Sequence, residues 1–120
     1  MKYMLLIYNN ADAMAALSEE DRQAIFGDVD TIMAELKETG EYVGGLALAH
    51  PSNTKTVTVR DGATAITDGP YAEGKEQFAG YLLIETEDED RALDIAARWP
   101  DAKTWRMEVR AVMHHDAGDV

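Results

Sequence analysis

The sequence has no cysteine, so disulfide bonds and thiolate metal ligands are excluded. Basic residues are also scarce: 11 Lys and Arg stand against 23 Asp and Glu, and the formal net charge is −12. Proteins bind nucleic acids and anionic membranes through Lys and Arg, so this charge disfavours both partners. The acidic surface either keeps the protein in solution or meets a basic protein partner.

Long apolar runs are absent as well. The apolar run over residues 2–8 is much shorter than the roughly 20 residues of a membrane-spanning helix. Polar Asn9 and Asn10 follow it directly, which argues against a signal peptide and favours a strand. We therefore expect a cytoplasmic protein.

The usual cofactor motifs are missing too. There is no glycine-rich phosphate loop, dinucleotide-binding fingerprint or G-x-S-x-G nucleophile motif, so no cofactor is expected. The chain ends with His114, His115, Asp116 and Asp119, but no rigid element fixes these side chains, and we expect no metal site there. A chain of 120 residues is long enough for one core. We expect a single domain over residues 1–113 and a polar tail over residues 114–120.

Hydrophobic periodicity predicts a β-α-β unit, a hairpin and a second β-α-β unit. The predicted elements are, in chain order, a strand at 2–8, a helix from Ser18 to just before Gly40, a strand at 42–48, a hairpin at 55–60 and 63–67, a strand at 79–85, a helix that stops at Pro100 and a strand at 105–113. Two helix faces are expected to point inward, one with Ile25, Val29, Ile32, Met33 and Leu36, the other with Ala92, Leu93, Ala96 and Ala97. Thr86 and Glu89 fit a capping box for the second helix, and Gly44-Gly45 predicts a bulge or a close backbone approach.

This order is typical of an α+β fold, the ferredoxin-like split βαβ sheet, here with an inserted β-hairpin and both helices on one face. The first strand is apolar on both faces. Successive side chains of a strand point to opposite faces, so Met4, Leu6 and Tyr8 lie on one face and Tyr3, Leu5 and Ile7 on the other. Helices cover only one face of such a sheet, and the other would leave a large apolar patch in water. We therefore expect a homodimer that packs sheet on sheet.

The connection after the hairpin is longer and more charged than a simple chain reversal needs. It reads Thr-Asp-Gly-Pro-Tyr-Ala-Glu-Gly-Lys-Glu over residues 67–76. Asp68 is either a general acid or base or an Asx-turn residue that stabilises the Asp-Gly-Pro turn. Glu73, Lys75 and Glu76 either line a pocket or form a solvated loop face.

Other candidate ligand-binding side chains are aromatic, exchange protons or bind anions. Tyr8, Tyr71 and Tyr81 either flank an aromatic ligand or pack in the core and dimer interface. His50 is either a proton shuttle or an incidental loop residue. Arg110 either binds a carboxylate in bidentate fashion or forms a structural ion pair.

Several segments together resemble one known family. They are Thr67-Asp68-Gly69-Pro70-Tyr71-Ala72-Glu73 with Lys75-Glu76 and Gly80-Tyr81, the opening Lys2-Tyr3-Met4-Leu5-Leu6-Ile7-Tyr8, the run Thr56-Val57 to Arg60-Asp61-Gly62, and the closing Glu108-Val109-Arg110. On these motifs the chain resembles the DGPF-motif branch of the YCII-related proteins over roughly residues 1–113. The resemblance implies a dimeric α+β barrel-type fold, in agreement with the periodicity.

The resemblance implies less about chemistry. Typical YCII-related members carry a His–Asp pair, some relatives eliminate chloride from a hydroxylated aromatic, and the fold resembles that of muconolactone isomerase. The first helix of this chain has Asp28, Val29 and Asp30 where those members place the histidine, so their mechanism is not carried over. Tyr71 also replaces the phenylalanine of the motif, and Ala111 stands where a proline usually follows the arginine.

Two functions are therefore expected. The first is binding of a small molecule, with isomerase-like or lyase-like proton transfer at a polar edge formed by Asp68, Tyr71, Glu73 and Lys75. The second is a non-enzymatic regulatory module, because the resemblance implies a link to extracytoplasmic-function sigma factors. A third possibility is that the Asp-Gly-Pro motif is purely structural and only holds the hairpin against the sheet.

Overall fold

The computed structural model describes residues 1–70 and 74–116, and in them six strands, four α-helices and a 3₁₀ turn. The strands are β1 (Lys2–Asn9), β2 (Tyr42–Ala47), β3 (Lys55–Arg60), β4 (Ala63–Asp68), β5 (Gln77–Glu85) and β6 (Arg106–Ala111). The helices are α1 (Ala11–Ala15), α2 (Glu19–Thr39), α3 (Glu89–Arg98) and α4 (Asp101–Thr104), and the 3₁₀ turn is Pro51–Asn53. The predicted order is confirmed, and the short helices α1 and α4 are additions to it.

Four strands form one antiparallel sheet in the order β2-β5-β1-β6, and β3 and β4 pair as a separate hairpin. This strand order, with α2 after β1 and α3 after β5, is the ferredoxin-like arrangement with an inserted hairpin. The register between β2 and β5 shifts at Val43, and a Cβ at Gly45 would lie 2.9 Å from the backbone oxygen of Tyr81. The predicted bulge and close approach at Gly44-Gly45 are thus both confirmed.

The hydrophobic core lies between α2 and α3 on one side and a single face of the sheet on the other. Its most buried members are Tyr3, Leu5, Ile32, Leu36, Leu82, Ile84, Ala92, Ile95, Ala96 and Trp99. The predicted inward face of the first helix is confirmed for four of its five residues, since Ile32 and Leu36 are buried and Val29 and Met33 pack against the core; Ile25 is half-buried and lies outside this core. Both helices therefore cover the same face of the sheet, as expected.

The predicted inward face of the second helix was partly wrong. Leu93 is 47% exposed and Ala97 is also exposed, whereas Ile95 and Trp99 are buried. Ala92, Ile95, Ala96 and Trp99 follow the i, i+3, i+4, i+7 spacing of one helix face. The prediction missed this face because it assigned both apolar residues of the pair at 92–93 to the core.

The predicted capping box does not form either. The side chain of Asp88, not Thr86, caps α3 by accepting a hydrogen bond of 3.0 Å from the backbone N–H of Arg91. The hydroxyl of Thr86 instead donates to Glu41 Oε2 at 2.5 Å. The helix ends before Pro100, as predicted.

The face of the sheet away from the helices, here called the open face, carries the alternate side chains of β1. Met4, Leu6 and Tyr8 pair with Leu83, Tyr81 and Phe78 on β5, and with Arg110, Glu108 and Arg106 on β6. Its centre is apolar, and its β6 edge alternates basic and acidic residues.

The hairpin extends away from the four-stranded sheet. Every residue of β4 is exposed, and Val57, Val59 and Ile66 are each more than half exposed. The radius of gyration, 16.4 Å, accordingly exceeds the roughly 13–14 Å expected of a compact chain of this length. Within the described residues, no helix has both the length and the apolar character needed to cross a membrane.

Candidate functional site

A cleft of about 620 Å³ lies between the segment that follows β2 and the start of β5. Its walls come from Leu48, Ala49, His50, Pro51, Asn53, Thr54, Pro70, Glu76, Gln77 and Phe78. A smaller cavity of about 280 Å³ adjoins it and extends toward α1, sharing Leu48, His50 and Phe78 among its walls. Most of the surface exposed in the main cleft is apolar, and His50 and Glu76 are its ionisable groups. Such a composition is typical of small-molecule sites.

His50 is held on both ring nitrogens. Its Nδ1 accepts a hydrogen bond of 3.1 Å from the backbone N–H of Ser52 and lies 2.9 Å from the Ser52 hydroxyl. This contact caps the 3₁₀ turn that Pro51 begins. On the other side, Nε2 lies 2.9 Å from Oδ1 of Asp12. Since Nδ1 is an acceptor, Nε2 carries the proton of the neutral ring and donates it to the carboxylate.

Asp12 reaches His50 because of how α1 begins. Asn10 caps this helix: its Oδ1 accepts a hydrogen bond of 2.8 Å from the backbone N–H of Ala13. The Nδ2 of the same side chain donates to the backbone oxygen of Lys75 at 2.9 Å. One asparagine therefore fixes both α1 and the segment that leads into β5, on either side of the cleft.

The Asp-Gly-Pro turn is fastened to the start of β3. Gly69 donates its N–H to the backbone oxygen of Thr54 at 2.8 Å, and its own oxygen accepts from the Thr56 hydroxyl at 2.8 Å. Gly69 has φ +90°, a left-handed conformation that glycine tolerates best. These bonds place Pro70 in the cleft wall.

A second cluster joins the cleft to the open face of the sheet. The guanidinium of Arg106 lies over the ring of Tyr8, 4.1 Å from the ring centre, and forms an ion pair with Glu76. The rings of Tyr8 and Phe78 meet edge to face at 5.8 Å. The hydrogen bond to Glu108 and partial burial raise the pKa of Tyr8, so the phenol stays protonated at neutral pH and is a donor, not a base.

The whole chain is similar to a known domain family. The YCII-related domain model matches residues 1–116. An uncharacterised protein of Rhizobium meliloti (strain 1021), R00369, is 33% identical over 124 aligned residues, which cover 100% of this chain and 98% of that protein. The chain belongs to the YCII-related domain family.

One solved structure is similar to this YCII-related protein at lower identity. It is 5-chloro-2-hydroxyhydroquinone dehydrochlorinase (TftG) from Burkholderia phenoliruptrix AC1100, in complex with 2,5-dihydroxybenzoquinone. The identity is 14%, the alignment covers 99% of this chain and 100% of that one, and the TM-score is 0.49.

The structure brings only some of the predicted site residues of the YCII-related chain together. His50 and Glu76 line the cleft. Tyr8 does not line it but contacts Phe78, which does, and Arg106, which pairs with Glu76. Tyr81 and Arg110 lie on the open face, and Lys75 is exposed and contributes its backbone oxygen to Asn10. Tyr71 and Glu73 lie outside the described residues.

Asp68 does not line the cleft. It is the last residue of β4, its side chain is 84% exposed, and it forms an ion pair with Lys55 directly across the hairpin. Within the described residues the partner of this carboxylate is the Lys55 side chain, and the backbone N–H of Tyr71, which an Asx-turn before Pro70 would use, lies outside them. Among residues 1–70 and 74–116, no group of three or more His, Asp or Glu side chains is arranged to hold a metal ion.

Sequence reasoning missed the partners of His50. Asp12 and Ser52 lie outside the charged connection, and neither belongs to a motif of its own. The one available signal was Asn10, a good helix-capping residue that directly follows β1. It would have indicated α1 and thereby brought Asp12 into consideration.

Proposed function

We propose that this YCII-related protein binds a small organic molecule in the His50 cleft and transfers a proton to or from it. The observation that carries the proposal is the hydrogen-bonded series from the Asp12 carboxylate through the His50 ring to the Ser52 hydroxyl, with 2.9 Å at each step. A histidine aligned by a carboxylate is a recurring acid–base arrangement because the carboxylate selects the tautomer and stabilises the protonated ring.

The proton balance of such a step is simple. The ligand lies against the His50 ring in the cleft wall, displaces the Ser52 hydroxyl from Nδ1 and gives its proton to that nitrogen. The ring then carries both N–H protons, and Asp12 balances its positive charge. Return of the proton to another atom of the ligand is an isomerisation, and loss of a leaving group from the ligand is an elimination.

The cleft itself favours a flat, mainly apolar ligand. Leu48, Pro51, Pro70 and Phe78 supply apolar walls, and Phe78 offers an aromatic face or edge for contact with a ring. The His50 and Asp12 side chains are 45% and 89% exposed, so water weakens their attraction until a ligand covers the cleft. A ring compound that fills the cleft strengthens the pair when proton transfer needs it.

We propose further that the chain works as a homodimer through its open face. This face has an apolar centre of Met4, Leu6, Tyr81 and Leu83, and its β6 edge carries both charge signs. A twofold axis can place an acidic residue of one copy opposite a basic residue of the other along this edge. Phe78 belongs to both the open face and the cleft wall, so a second copy would flank the cleft.

A ligand screen with matched histidine variants tests the proposed function. Thermal shifts are recorded for the wild type, His50→Gln and His114→Gln against hydroxylated aromatics, lactones and small carboxylic acids. A ligand present at 100 times its dissociation constant stabilises the folded chain by about 2.7 kcal/mol. We expect hits that are lost or weakened in His50→Gln and kept in His114→Gln, and proton exchange at a ligand C–H, measured by NMR in D₂O, that requires His50.

Two outcomes would contradict the proposal. Hits that are equally strong in His50→Gln would place the ligand elsewhere. A complete lack of hits would favour the regulatory alternative, in which the acidic surface meets a basic protein such as a sigma factor.

A further inference from the structure

A separate cavity of about 320 Å³ lies between α1, α2 and α4. Its lining consists of Ala13, Met14, Leu17, Ile25, Pro100, Asp101, Thr104 and Trp105. Only Met14 is shared with the smaller cavity beside the His50 cleft, and none with the main cleft. The two sites therefore use different residues, and binding in this cavity does not depend on proton transfer at His50.

Asp101 is the one carboxylate in this lining, and it is 8% exposed. Its Oδ2 accepts a hydrogen bond of 2.9 Å from Nδ2 of Asn9, the last residue of β1. Across residues 1–70 and 74–116, this is its only side-chain hydrogen bond. A carboxylate accepts hydrogen bonds on both oxygens, so Asp101 keeps acceptor capacity toward the cavity while Asn9 holds it in place.

The other walls of the cavity are apolar side chains and one aromatic ring. Met14, Leu17 and Ile25 form the apolar side, and Trp105 contributes an indole. An organic cation is attracted both to a carboxylate and to the face of an indole. The formal net charge of −12 adds a long-range attraction for cations and repels anions.

We propose that this cavity is a second binding site, specific for a small organic ammonium ion with an apolar or aromatic body. The ammonium group donates to Asp101, and the apolar body packs between Leu17, Ile25 and Trp105. A neutral isostere fills the same space without the charge-assisted hydrogen bond, and an anion is excluded.

The test uses the full chain and three probes of similar shape: protonated benzylamine, benzyl alcohol and benzoate. Binding is followed by the indole N–H resonance of Trp105 in two-dimensional NMR, distinguished from that of Trp99 by its loss in Trp105→Phe. Titrations at about 0.15 M NaCl suppress diffuse attraction of cations to the acidic surface. A hydrogen bond to a charged group corresponds to roughly 10–100-fold in affinity, so benzylamine should bind more tightly than benzyl alcohol by about that factor.

Asp101→Asn is the decisive variant because an asparagine can still accept the hydrogen bond from Asn9. We expect it to abolish the preference for benzylamine over benzyl alcohol, while Asp30→Asn, an exposed carboxylate on α2, keeps it. Ile25→Phe fills the cavity and should weaken both probes, whereas Ile66→Phe on the exposed hairpin should weaken neither.

The proposal is overturned if benzylamine and benzyl alcohol bind equally, or if Asp101→Asn retains the preference for the amine. If Asp101→Asn does not fold, unchanged benzylamine binding by Ile25→Phe overturns it on its own. None of these measurements involves His50, so their failure leaves the proposed function at the cleft intact.

Discussion

His50 and Asp12 lie 38 positions apart in the sequence, yet Nε2 of the histidine is 2.9 Å from Oδ1 of the aspartate. The pair depends on two local structures, the 3₁₀ turn that positions the ring and the short helix α1 that carries the carboxylate. Neither structure belongs to the Asp-Gly-Pro connection. The proposed acid–base pair therefore lies outside the Asp-Gly-Pro connection, which contributes Pro70 and Glu76 to the cleft wall.

The geometry predicts the tautomer of His50. With Nδ1 accepting from Ser52, the neutral ring should carry its proton on Nε2, and Asp12→Ala should weaken this preference without reversing it, because the Ser52 N–H remains. Long-range proton–nitrogen correlation spectra above the titration range of histidine report the tautomer directly. Asp30→Ala is the control, and a wild-type ring protonated on Nδ1 would contradict the assignment.

Asp68 should matter little to the cleft, in contrast to the expectation from the motif. Its ion pair with Lys55 is exposed, and exposed pairs contribute about 0–1 kcal/mol. We expect Asp68→Asn to bind every cleft ligand as the wild type does and to unfold within about 0.5 kcal/mol of it in urea. Loss of ligand binding in Asp68→Asn, with the fold intact by circular dichroism, would restore Asp68 to the site.

The sequence predicted the sheet and the main helices because both depend on periodic patterns of apolar residues. The inward residues of α2 recur at helical spacing from Ile25 to Leu36, within a helix of 21 residues. Helix α1 has five residues and no such pattern, so it was not predicted, and its capping residue Asn10 was the one local signal for it. The pairing of His50 with Asp12 is a tertiary contact between two segments distant in sequence, and no local pattern encodes it.

Glu41 predicts how stability depends on pH. Hydrogen bonds from Arg91, with Nη2 at 2.8 Å from Oε1, and from Thr86 and Thr39 lower its pKa from 4.5 to about 2, against the opposing effect of burial. The folded-state pKa is below the unfolded one, so the stabilisation is complete above pH 4.5 and is lost as the pH falls toward 2. Glu41→Gln should therefore lower the free energy of unfolding by about 1–3 kcal/mol at neutral pH, and the difference from wild type should shrink in acid.

Urea unfolding at a series of pH values measures this difference. Glu38→Gln, an exposed residue in the last turn of α2, is the control and should show little difference at any pH. A Glu41→Gln effect that is constant from neutral to acidic pH would contradict the assignment of the low pKa to Glu41.

At Gly80 the backbone of β2 leaves no room for a side chain on β5. A Cβ at this position would overlap the backbone oxygen of Leu46, and a backbone atom in the middle of a sheet has little room to shift. Nothing lies within 4 Å of a Cβ built at Gly44, which lies on the neighbouring strand β2. We expect Gly80→Ala to lower the free energy of unfolding by roughly 2–4 kcal/mol and Gly44→Ala by less than about 1 kcal/mol. Equal urea midpoints for the two variants would show that the strands separate at low cost.

Tyr81 tests the homodimer, because it lies near the middle of the open face, opposite Leu6 on β1 and Leu46 on β2. In a sheet-on-sheet dimer, each copy would bury this ring against its partner, and an aspartate there would bury a charge without a counter-ion. We expect Tyr81→Asp to shift the chain from dimer to monomer in sedimentation-velocity experiments. Leu93→Asp is the matched control, since Leu93 is exposed on the helix side and should leave the dimer intact. If wild type and Tyr81→Asp sediment alike while both are folded, the open face is not the interface, and its apolar centre must serve a different partner.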